Sequence, residues 1–173
     1  MRARWYTAGS AHRASLEAAT RANCSSASGH RFSSISKFGL DIGVTSSGLQ
    51  LLGNAGNGVV IQEAAANNTI KGNQISGKAG NGIFIQNIDT TGNKIEGNKI
   101  GTTPDGAAAL ANSLNGILIS STASGNTIGG TAAGAGNIIA FNGSDGVRID
   151  SKGATENLLS RNFIFSNQGL GID

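Results

Sequence analysis

The sequence predicts an all-β fold: a solenoid in which the chain winds as a parallel β-coil of four to five rounds, three short strands to a round. Three observations predict it. Short signatures recur in fixed order: N/D-G-[VI]-x-I, then N-x-I, then N-x-I again. Each is a brief alternation of apolar and polar residues, too short for a helix and suited to a half-buried strand. Gly, Asn, Ser and Thr fill the gaps, and Gly and Asn are the residues that tolerate positive φ at tight corners. Such a repeat is one supersecondary unit that buries its core only by stacking on the next.

The first round reads NGVVI (57–61), NTI (68–70) and NQI (73–75). The second reads NGIFI (81–85), NKI (93–95) and NKI (98–100), and the third NGILI (115–119), NTI (126–128) and NII (137–139). The fourth reads DGVRI (145–149), NLL (157–159) and NFI (162–164), and QGLGI (168–172) opens a fifth. The strand-one glycines are then Gly58, Gly82, Gly116, Gly146 and Gly169. Stacking at the sheet spacing of about 4.8 Å places equivalent residues in columns. One column is Ile61, Ile85, Ile119, Ile149 and Ile172. A second is Ile70, Ile95, Ile128 and Leu159, and a third is Ile75, Ile100, Ile139 and Ile164. β-branched side chains suit a pleated, stacked surface. The asparagines before the strands are expected to stack as amide ladders that hold register, since a slip of one residue would turn each apolar column outward.

A longer unit also repeats. Residues 42–61 align without a gap to 100–119, and residues 72–100 align to 136–164 once Thr131–Gly136 is set aside as an insertion. Pro104-Asp105-Gly106 reads as a turn. Insertions confined to one corner of a solenoid mark either a working face or tolerated loops.

Length and composition agree with one elongated domain: 173 residues, 27 Gly, one Pro, 13% charged. Residues 1–37 hold six basic residues (Arg2, Arg4, Arg13, Arg21, Arg31, Lys37) against Glu17, a balance of +5. Residues 38–173 hold seven basic and nine acidic residues, a balance of −2, so the repeat body is not a nucleic-acid-binding surface by bulk charge. Residues 1–37 read as a basic, poorly ordered leader, with Ala14–Ala22 as a short capping helix; residues 38–173 read as the β-coil domain, truncated at its C-terminus. The leader lacks the apolar core of a secretory signal, and no apolar run is long enough to insert in a membrane. Cys24 is alone, so no internal disulfide forms. Open solenoid ends expose unpaired backbone groups, which favours end-to-end or edge association.

The motifs N-x-I-x-G-N-x-I-G-T (93–102), N-T-I-G-G-T-x-x-G-x-G-N (126–137), D-G-V-R-I (145–149) and N-x-I-F-S-N-x-G-L-G-I-D (162–173) resemble right-handed parallel β-helix repeat proteins of the pectin-lyase-like superfamily. The resemblance covers roughly 40–173 and is specific for fold. It implies a right-handed coil and a secreted or cell-surface setting of bacterial type. It is weak for function, because the superfamily includes polysaccharide lyases, glycoside hydrolases, adhesins and members without known activity.

Two sets of residues are candidates. The outward positions of strand one are Val60, Phe84, Leu118, Arg148 and Gly171. The consecutive Val60, Phe84 and Leu118 read as a contact strip for a carbohydrate face or a protein partner, or as a strip covered by a loop such as 101–114. The second set is Asp145, Arg148, Asp150 and Asp173, catalytic only if the chain is an enzyme. Glycoside chemistry needs carboxylates about 5 to 10 Å apart, and Asp150 and Asp173 fall at equivalent positions of adjacent rounds. A lyase of the calcium-dependent type would use such acids for Ca²⁺ and an arginine as base, but two or three carboxylates are few for that ion. The plainer reading is a solvated turn in which Asp145 replaces the usual asparagine. Arg148-Ile149-Asp150 departs from the Arg-Ile-Lys that the hydrolases carry, and both histidines lie outside the repeat. No resident metal or other cofactor is expected. The functional expectation is a structural or binding module; the alternatives are a polysaccharide lyase or hydrolase, and an inert spacer in a larger protein. Asn23, Asn67 and Asn142 stand in N-x-S/T sequons, as chance allows in so asparagine-rich a chain.

Overall fold

The structure, a computed structural model, describes residues 4–5, 36–53 and 55–173. The expected capping helix at 14–22 lies outside these residues. Fifteen strands, numbered in chain order, form three sheets among the described residues. Sheet A holds β1 (Arg4–Trp5), β4 (Val59–Ile61), β7 (Ile83–Ile85), β10 (Ile117–Ile119) and β13 (Val147–Ile149). Sheet B holds β2 (Ser36–Phe38), β5 (Thr69–Lys71), β8 (Lys94–Glu96), β11 (Thr127–Gly129) and β14 (Leu158–Ser160). Sheet C holds β3 (Asp41–Ile42), β6 (Gln74–Ile75), β9 (Lys99–Ile100), β12 (Ile138–Ala140) and β15 (Phe163–Phe165). The chain visits A, B and C in turn, and every pairing is parallel except β1 against β4. Among the described residues the first parallel strand of the coil is β2, at Ser36–Phe38.

The predicted columns exist. Ile61 faces Ile85, Ile85 faces Ile119 and Ile119 faces Ile149. Ile70, Ile95, Ile128 and Leu159 are in register in sheet B, and Ile75, Ile100, Ile139 and Ile164 in sheet C. A fourth inward column, Val59, Ile83, Ile117 and Val147, completes the core, and all four residues are fully buried. The strand-one glycines exist because this corner brings the chain against the isoleucines of sheet C. A Cβ on Gly82 would lie 2.6 Å from the Gly116 carbonyl oxygen and 2.7 Å from Ile100 Cγ2.

One predicted register is corrected. Ile172 pairs with Val147 rather than Ile149. The fifth-round glycine is thus Gly171, whose carbonyl oxygen lies 2.6 Å from a Cβ built on Gly146, and not Gly169. An offset of two residues preserves the inward–outward alternation, so apolar pattern alone does not separate the two registers. Close glycine packing and the bond from Leu170 N to Asp145 Oδ1 (2.8 Å) select the observed one.

At the corners entering sheets B and C, except at Asn137, one residue turns left-handed just before the ladder asparagine. Between sheets B and C that residue is Gly72 (φ 66°), Gly97 (φ 62°) or Arg161 (φ 53°). The asparagine then bonds the next round. Asn73 donates its backbone N–H and Nδ2 to Asn98 Oδ1 (3.0 and 3.1 Å), Asn98 does so to Asn137 (2.9 and 3.0 Å), and Asn137 to Asn162 (3.1 and 2.8 Å). Asn68, Asn93, Asn126 and Asn157 form the same ladder before sheet B. Before sheet A the polarity reverses: Asn81 donates to Asn57, Asn115 to Asn81 and Asp145 to Asn115. A further ladder after sheet C joins Asn112, Asn142 and Asn167. Asn142 is fully buried within it, so that sequon is not on the surface.

The aligned segments 42–61 and 100–119 each open with a hairpin, closed by the bridges Val44–Leu51 and Thr102–Ala109. Both lie against the outer side of sheet C. Gln74 Nε2 donates to Gly48 O (2.7 Å) and to Thr102 O (3.0 Å), tying one hairpin to the other. A Cβ on Gly106 would touch Ile138, farther along the same sheet. The 102–109 hairpin thus seats on sheet C, and Phe84 and Leu118 on sheet A remain half-exposed.

Removing one rung of a buried ladder strands its partners. Asn98→Leu would leave Asn73 N–H and the Ile70 carbonyl, now 2.9 Å from Asn98 Nδ2, without that amide. The expected loss is about 2–4 kcal/mol, read from the urea unfolding midpoint; an unchanged midpoint would show that the ladder does not hold the coil.

Candidate functional site

The outer face of sheet A is the candidate site. β4, β7, β10 and β13 present Val60, Phe84, Leu118 and Arg148 in one register column. Val60 is buried, and the other three are half-buried. One alternation further along the chain stand Gln62, Gln86, Ser120 and Asp150. Gln86 Nε2 donates to Gln62 Oε1 at 2.7 Å, so the strip is edged by a two-rung amide ladder. The face therefore combines a flat apolar ridge containing one aromatic ring with a polar margin and a charged end.

The charged end is an ion triplet. Arg148 Nη1 lies 3.1 Å from Asp145 Oδ2 and 2.9 Å from Asp173 Oδ2. The hydrogen bond to Asp145 first, and the charge of Asp173 second, push the arginine pKa up. Asp173 reaches Arg148 because the observed register puts it beside that residue; the expected equivalence of Asp150 with Asp173 does not hold. Asp145 is a ladder member whose N–H donates to Asn115 Oδ1 (3.0 Å) and whose Oδ1 accepts from Leu170 N. Its carboxylate is committed to backbone and guanidinium together. The set does not fit Ca²⁺, which takes six to eight oxygens, because a guanidinium stands against the two carboxylates that would have to supply them. Among the described residues no group of three or more His, Cys, Asp or Glu side chains is arranged to hold a metal ion.

Sequence reasoning missed one unusual residue. Lys78 occupies the position filled by Asn112, Asn142 and Asn167 in later rounds, and its N–H donates to Asn112 Oδ1 (3.1 Å). Its side chain is 1% exposed, and Nζ has no hydrogen-bond partner among the described residues. Burial pushes the amine down to about 8 from the ordinary 10.5. The alignment of 72–100 with 136–164 sets Lys78 opposite Asn142, so the interruption shows in the sequence once the column of Asn112, Asn142 and Asn167 is recognised.

A three-sheeted parallel coil with laddered corners defines the class of protein as a parallel β-helix. A family model described as the right handed beta helix region matches residues 35–173, and the chain belongs to this family, within the pectin-lyase-like superfamily. No curated protein and no solved structure matches the chain.

Two outcomes follow from these geometries. If Asp145 acts as a ladder asparagine, Asp145→Asn should change stability by less than about 1 kcal/mol, while Asp145→Leu should cost about 2 kcal/mol; equal losses in thermal or urea unfolding would refute the ladder role. For Lys78 the folded pKa lies below the unfolded one. Below pH 8 the amine is charged in both states and the fold carries the full desolvation penalty. Stability should therefore rise as pH increases from about 8 to 10.5, by roughly 3 kcal/mol relative to Lys78→Met measured over the same window. Parallel pH profiles for the two proteins would sink this assignment.

Proposed function

We propose that this chain is a binding module that holds an extended carbohydrate chain along the outer face of sheet A. The observation that carries the reading is the half-exposed pair Phe84 and Leu118, in one register column beyond the buried Val60, with the Gln62–Gln86 margin. A sugar ring has an apolar face and a rim of hydroxyls. An aromatic side chain on a flat ridge suits the first, and side-chain amides suit the second. The rounds repeat at the sheet spacing, so the face offers similar contacts at regular intervals to a polymer that is itself periodic. The proposed setting is secreted or at the cell surface, in line with the family resemblance.

A lyase or hydrolase centred on Asp145, Arg148, Asp150 and Asp173 has less support. Arg148 is bound by two carboxylates and is not poised as a base, and Asp145 serves the coil. The reading is tested by incubating the protein with acidic and neutral polysaccharides, with and without calcium, and recording retention and cleavage products together. Retention without cleavage, weakened about tenfold or more by Phe84→Ala, is the expected result; that loss corresponds to about 1.4 kcal/mol. Cleavage abolished by Asp150→Asn would replace the proposal with an enzyme. Neither retention nor cleavage would leave a spacer.

A further inference from the structure

The chain holds four Asn-Gly pairs: Asn57-Gly58, Asn81-Gly82, Asn115-Gly116 and Asn142-Gly143. This linkage is chemically labile, because a glycine, with no Cβ, lets its backbone nitrogen approach the side-chain carbonyl of the asparagine before it. The fold does not treat the four alike. In each, the glycine N–H is held by a carbonyl of a neighbouring round: Gly58 by Asn81 O (3.0 Å), Gly82 by Asn115 O (3.0 Å), Gly116 by Asp145 O (2.9 Å) and Gly143 by Asn112 O (2.8 Å). The side-chain amides differ. Asn81 Nδ2 donates to Asn57 Oδ1 (3.0 Å), Asn115 Nδ2 to Asn81 Oδ1 (3.0 Å) and Asn142 Nδ2 to Asn167 Oδ1 (2.9 Å), and all three donors are buried. Asn57 is half-buried. Its Oδ1 accepts twice from Asn81, and its Nδ2 has no partner among the described residues. The strand that follows it, β4, has a full parallel neighbour on one side only; on the other it meets the two-residue antiparallel β1.

We propose that Asn57-Gly58 is a site of spontaneous deamidation in the folded chain, and that the coil holds the other three pairs inert. The Gly58 nitrogen attacks Asn57 Cγ, the Cγ–Nδ2 bond breaks, and the amide leaves as ammonia carrying the proton lost by Gly58. Water then opens the resulting succinimide at either carbonyl, giving aspartate or isoaspartate. One water is consumed, one ammonia is released, and nothing is oxidised or reduced. Gly58 must first let go of Asn81 O. That opening disturbs one parallel strand pair at β4, whereas freeing Gly82 or Gly116 breaks into rounds paired on both sides, and local opening is cheapest where fewest contacts are lost. The product is also tolerated at position 57 alone. An aspartate there still accepts from Asn81, as Asp145 Oδ1 accepts from Leu170 N in the same ladder (2.8 Å). At position 81 or 115 it would set a carboxylate oxygen against the acceptor that Nδ2 now meets, and a buried donor bond would become a repulsion. The isoaspartate form adds a methylene to the backbone two residues before β4, at the Val60 end of the sheet A ridge.

The test incubates the full chain in mildly alkaline, ammonia-free buffer, once folded and once in urea above its unfolding midpoint. Peptide mapping by mass spectrometry follows the exchange of amide for acid at each of the four asparagines. In the folded chain Asn57 should convert about tenfold or more faster than Asn81, Asn115 and Asn142. In urea the four rates should come together, since the sequence pair is the same in each. Equal rates in the folded chain, or an Asn57 as slow as the other three, overturn the proposal. So does a spread of rates that persists unchanged in urea, because the fold would then not be its cause. The ladder argument has its own readout: Asn57→Asp should leave the urea midpoint unchanged and Asn81→Asp should lower it. Equal midpoints for the two variants would overturn the claim that the fold tolerates the product at position 57 alone.

Discussion

The stacking of buried asparagines at the corners is the constraint on which the rest of this structure depends. Within a sheet, each strand finds its hydrogen bonds in the strands above and below. At a corner the backbone leaves the sheet, and its polar groups would be stranded in a nearly dry interior. An asparagine solves this locally because one amide both accepts from the round before and donates onward. Asn98 makes bonds to Asn73, to Asn137 and to the Ile70 carbonyl. Such a network is stable only when complete, because each missing partner leaves a desolvated group behind. That is why the asparagine recurs in round after round while the loops between corners vary in length. It also explains where the chain tolerates extra length: the hairpins at 44–51 and 102–109 and the insertion at 131–134 all lie outside the ladder positions.

The same repeat builds three faces with different fates. The outer side of sheet C is partly sealed by the two hairpins, tied together through Gln74. The outer side of sheet B is polar, with Lys71 and Glu96 paired at 3.3 Å. The outer side of sheet A keeps its apolar ridge half-open. The distinction comes from outward residues alone, since all three inner faces carry the same isoleucine columns. Function in a solenoid of this kind is written in the positions that do not determine the fold.

Departures from the repeat are the informative residues. Asp145 keeps the ladder bond of an asparagine and adds a charge that recruits Arg148, and through it Asp173. Leu40 ends a ladder at the first round. Lys78 replaces an amide with an amine that is buried in the coil and has no partner among the described residues. The first was legible in the sequence as an Asp for Asn exchange. The last was not: the alignment of 72–100 with 136–164 sets Lys78 opposite Asn142, but only the ladder of Asn112, Asn142 and Asn167 shows that this position turns inward.

By itself, the sequence determined the coil, its three strands per round, the identity of the isoleucine columns and the stacking of the asparagines, because each follows from a local period of two and a turn residue at fixed offset. The tertiary structure alone decided the register of the fifth round, the ion triplet and the seating of the hairpins on sheet C. Each of these depends on side chains meeting across rounds. A shift of two residues changes which groups meet while leaving the apolar pattern intact, so Asp173 comes to Arg148 rather than to Asp150. Nothing in a one-dimensional period distinguishes those two arrangements; the close contact of Gly146 with Gly171 does.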